Sequence, residues 1–359
     1  MADQTTDQER YETIDRPFYE EVVAPILPAG VLDFHAHIWR ADQWLPPAAG
    51  NWKGTGYVVT ERDYSVEQLL RDARRMFPDR AYSAVLFGQP TPAVSTEATN
   101  AYVAVTARAH GLYPLRVLGR GQVPQEQLRK EMSESPFFGY KVFLPWIGDT
   151  YAQITPEDMI GPDEMEVADE LGLIVLLHVP TAKRLGEKRV QESIMKYSRD
   201  YSNASIVLAH CGRCYLPGEM KGAVGSLRGL DNVYLDTAMI MDPTVLGMVL
   251  QTIDSSRLLY ATDYPVAAMR GRRVYVMDHW VDVVLEGYPR SAFRAASSSI
   301  RATFMAWEIV LAIQRAAEMA GLPPKKTRRI FYDNGVTVLR RVMDGRKLEA
   351  APAPHKDAR

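Results

Sequence analysis

Short runs of apolar, largely β-branched residues recur along the chain, separated by segments with the spacing of amphipathic helices. Each run is almost continuously apolar, which is typical of parallel strands that are buried on both faces. Strands are predicted at 31–36, 82–87, 113–118, 139–144, 173–178, 205–210, 232–236 and 257–261. Helices are predicted at 66–76, 97–111, 156–172, 185–199, 217–229, 243–253, 298–320 and 323–331.

This alternation predicts an α/β fold, and eight strands with helices between them favour a (β/α)₈ TIM barrel. A doubly wound open sheet is the alternative, because periodicity does not show whether a sheet closes. The predicted organisation is an N-terminal extension at 1–30, a single catalytic barrel at 31–340 and a disordered tail at 341–359. The long segments 38–62 and 264–297 follow the first and last strands, where barrel loops usually shape an active-site mouth.

Candidate metal-binding and catalytic side chains lie at the carboxyl ends of the predicted strands. His35 and His37 end the first strand in the motif DFHAH, and residues two apart on a strand project to the same side. His178, His210 and Asp263 end or follow the fifth, sixth and eighth strands. In a barrel these ends converge on the face where active sites lie. Imidazole nitrogens beside a carboxylate oxygen suit Zn, Mn or Fe, so the pattern predicts a metal site.

Composition excludes several other classes of protein. The formal net charge is −2, without the basic face that nucleic-acid binding requires. No apolar run approaches the length of a membrane span, and the polar, acidic N-terminus lacks the apolar core of a secretory signal. Two cysteines cannot form a disulfide scaffold, and the cytoplasm is therefore the expected compartment.

The order of these residues along the strands resembles that of the amidohydrolase superfamily. The flanking sequences LDFHAHIW, GYKVFLP, LLHVP, LAHCG, YATDYP and FYDNG are similar to its amidohydrolase-related branch, which includes aminocarboxymuconate-semialdehyde decarboxylase and related hydrolases. The resemblance covers about residues 31–340 and implies a metal-dependent enzyme, with a homodimer as the default assembly. It implies one divalent metal ion, or two if Lys141 is carbamylated, with zinc favoured over manganese or iron. Its expected ligands and catalytic groups are His35, His37 and His178 as ligands, Asp263 as ligand or base, and His210 as the group that binds the water or substrate.

Lys141, in the motif GYKVF, has two open interpretations. In two-metal relatives a carbamylated lysine on the fourth strand bridges the metals, and His210 would then also be a ligand. In one-metal relatives a lysine here contacts the substrate as a cation. Because a buried lysine is costly without a partner, some role is expected.

Two further features bear on the substrate. Arg213 could bind a substrate carboxylate bidentately or remain a solvated loop cation. Trp39, with Trp44 and Trp52, could line a pocket for an aromatic or hydrophobic substrate, or the three could pack on one another. A small, aromatic or hydrophobic and carboxylated molecule is therefore the expected partner.

Two other motifs are assigned no function. The C-x-x-C pair Cys211 and Cys214 lacks a thioredoxin-like context and is not expected to be a redox centre. The arginine cluster at 270–273 is expected to be a solvated face.

The leading functional hypothesis is a hydrolase that directs metal-activated water at an amide, lactone or ester carbonyl. The alternatives are a non-oxidative decarboxylase that uses Arg213 or Lys141 near a carboxylate, and a non-haem diiron oxygenase. A catalytically inactive barrel that serves as a binding protein is the non-enzymatic alternative, disfavoured by the complete set of histidines and Asp263.

Overall fold

The computed structural model describes residues 6–46, 62–89, 91–143, 150, 152–276, 279–285, 292–294 and 301–346. All eight predicted strands are present, and the third is divided at Leu115 into two short pieces. The parallel strands are β1 Gly30–His37, β2 Ala81–Phe87, β3 Tyr113–Pro114, β4 Arg116–Val117, β5 Gly139–Val142, β6 Ile174–Leu177, β7 Ser205–Leu208, β8 Val233–Asp236 and β9 Leu258–Leu259.

The sheet closes on itself, which settles the choice between a barrel and an open sheet. The segment directly after β9 pairs with β1 through hydrogen bonds from Phe34 N to Tyr260 O (2.9 Å) and from Asp263 N to His35 O (3.0 Å). The divided third strand joins β2 to β5, because β3 pairs with β2 and β4 pairs with β5. The fold is therefore the predicted TIM barrel.

The helices lie close to their predicted positions. They are Val66–Met76, Thr96–His110, Gln125–Glu134, Pro156–Met159, Pro162–Glu170, Lys188–Asp200, Pro217–Ala223, Pro243–Thr252, Met305–Met319, Pro324–Ile330 and Asp333–Arg346, with a left-handed segment at Ala209–Arg213. Two of them, Gln125–Glu134 and Asp333–Arg346, were not predicted. The prediction of a disordered tail from residue 341 is wrong as far as Arg346. The side chain of Arg346 donates to the carbonyl oxygens of Phe137 and Ser135. None of the described helices is long and apolar enough to span a membrane.

The N-terminal extension is folded against the barrel. Residues 7–23 form a continuous helical run that includes two π-helical turns, Tyr11–Asp15 and Tyr19–Val23. Arg270 bonds to Asp15 (2.6 Å) and Asp7 (2.7 Å) of this run, and its side chain is only 4% exposed. The prediction of a solvated arginine cluster is therefore wrong at Arg270, because two carboxylates compensate its burial.

The segment after the last barrel strand forms a small sheet, which the sequence pattern did not predict. β10 Gly271–Val276 pairs antiparallel with β11 His279–Val284, and β12 Ala292–Arg294 runs parallel to β11. Arg273 binds the buried carboxylate of Asp282 through two hydrogen bonds of 2.8 and 2.9 Å. This second arginine of the cluster is also paired, and its ion pair joins β10 to β11 within the insert.

Replacing Gly139 by Ala should destabilise the barrel by more than about 3 kcal/mol. Gly139 has a φ of 153°, and a Cβ atom there would lie 1.9 Å from the carbonyl oxygen of Ile174 on the neighbouring strand. Chemical denaturation should show the loss. Gly222→Ala is the matched control, because nothing lies within 4 Å of its Cβ position, and this helical site should gain up to about 1 kcal/mol. Equal stabilities of the two variants would contradict the close packing of Gly139 against the backbone of Ile174.

Candidate metal centre

The two histidines of β1 and the aspartate after β9 meet at the carboxyl end of the barrel. The Nε2 atoms of His35 and His37 are 3.4 Å and 3.3 Å from Oδ1 of Asp263. Ligand atoms of a tetrahedral zinc site with bonds of about 2.05 Å are about 3.3 Å apart, so these separations match such a site. One ligand atom from each of the three residues lies within 4.8 Å of the others.

Both histidines of β1 have an oxygen acceptor on each side of the ring. Nδ1 of His35 lies 2.7 Å from Asp236 Oδ2, and Nδ1 of His37 lies 3.2 Å from the carbonyl oxygen of Gly88. A neutral imidazole has one N–H hydrogen, so donation from Nδ1 leaves the Nε2 lone pair facing the Asp263 carboxylate. Burial lowers the pKa of both histidines, which disfavours a second proton on either ring. A divalent cation between these three acceptors satisfies all of them.

Asp263 provides a negative charge at this point. Its carboxylate faces the Nε2 atoms of both histidines of β1. Its backbone has a positive φ of 66°, which is uncommon for a residue other than glycine. The turn after β9 therefore holds an ionised carboxylate in a defined place, and such local strain is typical of functional sites.

The other two predicted histidines continue the site as an arc of imidazole rings. The ring centroids of His35 and His210 are 4.9 Å apart, and those of His210 and His178 are 4.8 Å apart. Both ring nitrogens of His178 are buried and have no hydrogen-bond partner among the described residues. A buried imidazole without partners is costly, so His178 fits a ligand that is supplied from outside the protein chain.

His210 lies beyond its strand instead of ending it, which corrects its predicted place. β7 ends at Leu208, and His210 has a φ of 54° and a ψ of 45° in the left-handed segment that follows. Its Nδ1 lies 3.0 Å from the carbonyl oxygen of Ala238. Donation from Nδ1 leaves Nε2 as an acceptor, and burial lowers the pKa of His210 to about 3, so the ring is neutral.

Lys141 lies within the site, close to the histidines of β1. Its side chain is fully buried, and Nζ is 3.1 Å from Nε2 of His35 and 4.8 Å from the centre of the Phe87 ring. Burial lowers the pKa of Lys141 to about 7. A metal ion bound to Nε2 of His35 would therefore lie within about 5 Å of Nζ, close enough for either predicted role of this lysine.

Two buried carboxylates of the site, Asp236 and Asp33, had no role assigned to them from the sequence. Asp236, the last residue of β8, accepts from the backbone N–H of His210 (2.6 Å) in addition to bonding His35. Asp33 accepts from the backbone N–H groups of His35 (3.1 Å) and Thr262 (2.9 Å), and from the Thr262 and Tyr82 hydroxyls. The available signal was the same as for the histidines, an acidic residue within or at the end of an apolar strand.

Aromatic side chains border the histidine arc. Phe143 stacks on His178 with ring centroids 4.3 Å apart, and Tyr215 lies 5.7 Å from His210. Trp280 of the insert lies 5.6 Å from Tyr215, and the Arg273 guanidinium is 3.9 Å from the centre of the Trp280 ring. The insert therefore reaches the mouth of the site, because its residue Trp280 packs against Tyr215.

The structure corrects the predicted substrate contact of Trp39. Its side chain is only 1% exposed, its indole N–H donates to the carbonyl oxygen of Arg62, and its ring packs against Tyr64. Trp44 is also buried and donates to the same carbonyl oxygen. These two residues follow the alternative interpretation of a loop that packs on its own aromatics, and Trp52 lies outside the described residues.

The left-handed segment also contains Cys211 and Arg213, and Cys214 follows it directly. Arg213 donates from Nη1 to the carbonyl oxygen of Val179 (2.9 Å), just after His178. Its position at the site is compatible with substrate binding, which stays a prediction. Cys211 and Cys214 are buried free thiols, and burial raises the pKa of Cys214 to about 12 and that of Cys211 well above its usual range. Protonated, buried thiols do not suit a redox pair.

The sequence profile of the amidohydrolase family matches residues 32–341. The protein therefore belongs to the amidohydrolase family, in agreement with its motifs and barrel fold. A comparison with curated proteins gives no match.

Solved structures with a similar fold include proteins of different reported activities. Amidohydrolase 2 from Bifidobacterium longum subsp. infantis has a TM-score of 0.53 and 15% identity, covering 87% of this chain and 99% of that chain. A 2,6-dihydroxybenzoate decarboxylase complexed with 2,6-dihydroxybenzoate has a TM-score of 0.51 and 12% identity, covering 88% and 99%. A protein from Pseudomonas putida, provisionally described as a 2-pyrone-4,6-dicarboxylic acid hydrolase, has a TM-score of 0.51 and 15% identity with the same coverage. At these identities the likeness concerns the fold alone.

Proposed function

We propose that this protein is a metal-dependent hydrolase that cleaves an amide, lactone or other ester. The observation that carries the proposal is the meeting of three acceptors, His35 Nε2, His37 Nε2 and Asp263 Oδ1, at 3.3–3.4 Å with an oxygen partner already on each Nδ1. We assign His178 to the same metal, with zinc favoured over manganese or iron. A divalent metal ion, when bound, lowers the pKa of water towards 7 and polarises a carbonyl group.

The residues of the chain supply the proton transfers of this reaction. Asp263 accepts a proton from the attacking water and delivers it to the leaving nitrogen or oxygen as the carbonyl–heteroatom bond breaks. His210 donates through Nδ1 to Ala238, so its Nε2 lone pair can accept a hydrogen bond from the water and orient it. Burial of the histidine arc excludes other water, which strengthens each of these contacts.

We propose a small planar substrate with an anionic group for this site. Phe143 on His178 and Tyr215 beside His210 present ring faces at the mouth, and such faces bind planar apolar groups. Arg213, which belongs to the same left-handed segment as His210, is the cation assigned to the substrate carboxylate. The proposed setting is the cytoplasm, with a homodimer as the proposed assembly.

A non-oxidative decarboxylase is the second candidate, supported by Arg213 and Lys141. These two cations lie near the metal site, and a decarboxylase needs a cation to hold the departing carboxylate. A proton must then be delivered to the carbon atom that loses carbon dioxide. A diiron oxygenase would use the same histidines with a carbamylated Lys141. An inactive binding barrel is disfavoured, because a scaffold has no need of His178 buried without a partner among the described residues.

The candidates differ in what they consume and release. Purified protein loaded with zinc, manganese or iron should be incubated with aryl esters, lactones, anilides and hydroxybenzoates in water labelled with heavy oxygen, with chelator-treated protein as the control. We expect labelled carboxylate product from an ester, lactone or anilide. Release of carbon dioxide, with no labelled carboxylate product, would favour the decarboxylase, and uptake of oxygen with iron would favour the oxygenase. Turnover that persists after chelation would contradict the proposal.

A further inference from the structure

The buried carboxylate of Asp236 contacts two histidines of the site at once. Its Oδ2 lies 2.7 Å from Nδ1 of His35, and its Oδ1 accepts the backbone N–H groups of His210 (2.6 Å) and Ala238 (3.1 Å). Asp236 is 0% exposed and lies at the end of β8, so water does not compete for these bonds. Asp236 is neither a metal ligand nor a proton-transfer group of the proposed hydrolase.

The two oxygens of Asp236 are not equivalent. Oδ1 is fixed by two backbone donors, one of which belongs to His210 in its left-handed conformation. Oδ2 is thereby directed at the His35 ring, and a carboxylate can only accept a hydrogen bond. The hydrogen of His35 is consequently placed on Nδ1, and the lone pair on Nε2 faces Asp263.

We infer that Asp236 is a positioning residue that fixes the tautomer of His35 and, through the His210 backbone, the arc of imidazoles. Lys141 supports this assignment, since its Nζ lies 3.1 Å from Nε2 of His35, where an ammonium donates to a free lone pair. The fixed tautomer is a property of the metal-free protein. Its consequence for metal binding rests on the proposed function, because only an unprotonated Nε2 can be a ligand.

The substitution Asp236→Asn should reverse the tautomer without removing the packing. The amide oxygen must take the place of Oδ1, because two backbone N–H groups point there. The amide NH₂ group then faces Nδ1 of His35, which must become the acceptor, and the ring hydrogen moves to Nε2. A donor now points into the metal site, and metal affinity should fall by about 10- to 100-fold.

Nitrogen NMR of metal-free protein that carries isotopically labelled histidine reads the tautomer directly. The His35 signal is assigned by its absence in His35→Gln. We expect hydrogen on Nδ1 in the native chain and on Nε2 in Asp236→Asn. Competition titration against a chromogenic chelator then gives the metal affinity of each protein.

Tyr82→Phe is the matched control, because it removes a hydrogen bond to the neighbouring buried carboxylate of Asp33 and touches neither ring nitrogen of His35. It should lose only the stability of one hydrogen bond and keep both the tautomer and the metal affinity. If Asp236→Asn does not fold, Thr262→Val and His210→Ala take its place, because each removes other hydrogen bonds close to His35. A His35 hydrogen that stays on Nδ1 in both variants agrees with the inference, and one that moves to Nε2 contradicts it.

An unchanged His35 tautomer in folded Asp236→Asn would overturn the inference, as would an equal loss of metal affinity in Tyr82→Phe. The proposed function fails separately. If native protein binds no metal, but the tautomer still reverses in Asp236→Asn, the positioning role stands and the hydrolase proposal does not.

Discussion

Asp263→Asn is expected to lower turnover by at least about a thousandfold, because it removes both a metal ligand and the group that moves the proton. The amide has nearly the same shape, but its charge is lost at the point where Nε2 of His35 and His37 converge. Steady-state kinetics with the best substrate of the hydrolysis panel, together with metal per chain, would measure both losses.

Asp254→Asn is the matched control for this variant. Asp254 begins the short helix Ser255–Arg257, where its side chain accepts the backbone N–H of Ser256, and an asparagine caps a helix equally well. Its kinetics should equal those of the native protein. Native turnover in Asp263→Asn would remove the aspartate from the mechanism.

Replacing Lys141 by Met is expected to lower turnover by at least about a hundredfold, since Nζ lies within 3.1 Å of the His35 ring at the centre of the site. Methionine keeps most of the volume and burial of the chain but can neither carry a carbamate nor bind an anion. A normal turnover number together with a normal KM would exclude Lys141 from both of its predicted roles.

The metal content of Lys141→Met separates those two roles. A fall from two metals to one would identify Lys141 as the carbamylated bridge between them. A constant content of one metal with a raised KM would identify it as a substrate contact. Native protein prepared with and without bicarbonate is the control, because only the carbamate depends on dissolved carbon dioxide.

The positions of the barrel strands could be predicted because burial on both faces produces nearly continuous apolar runs. Strand alternation predicts that His35 and His37 project to the same side of β1. Barrel geometry alone predicts that His178 and Asp263 lie on the same face of the barrel as these two histidines. Closure of the sheet could not be predicted, because it depends on hydrogen bonds such as Asp263 N to His35 O across 228 positions of sequence separation, which have no local pattern.

The features that were missed depend on partners distant in sequence. Arg270 looks like a solvated residue in isolation, but its burial is compensated by Asp7 and Asp15 from the other end of the chain. Trp39 was assigned to a pocket on its position after β1, whereas packing against Tyr64 turns it inward. Asp236 carried a signal at a strand end, but its role depends on the His35 ring, 201 residues away.

The metal content of the purified protein, determined by elemental mass spectrometry and expressed per chain, tests the metal site most directly. We expect at least about one zinc, manganese or iron ion per chain, lost in the double variant His35→Ala and Asp263→Asn. About two ions would add a carbamylated Lys141 to the site. A native protein that stays free of metal after reconstitution, with the histidine arc intact, would contradict a metal site at these residues.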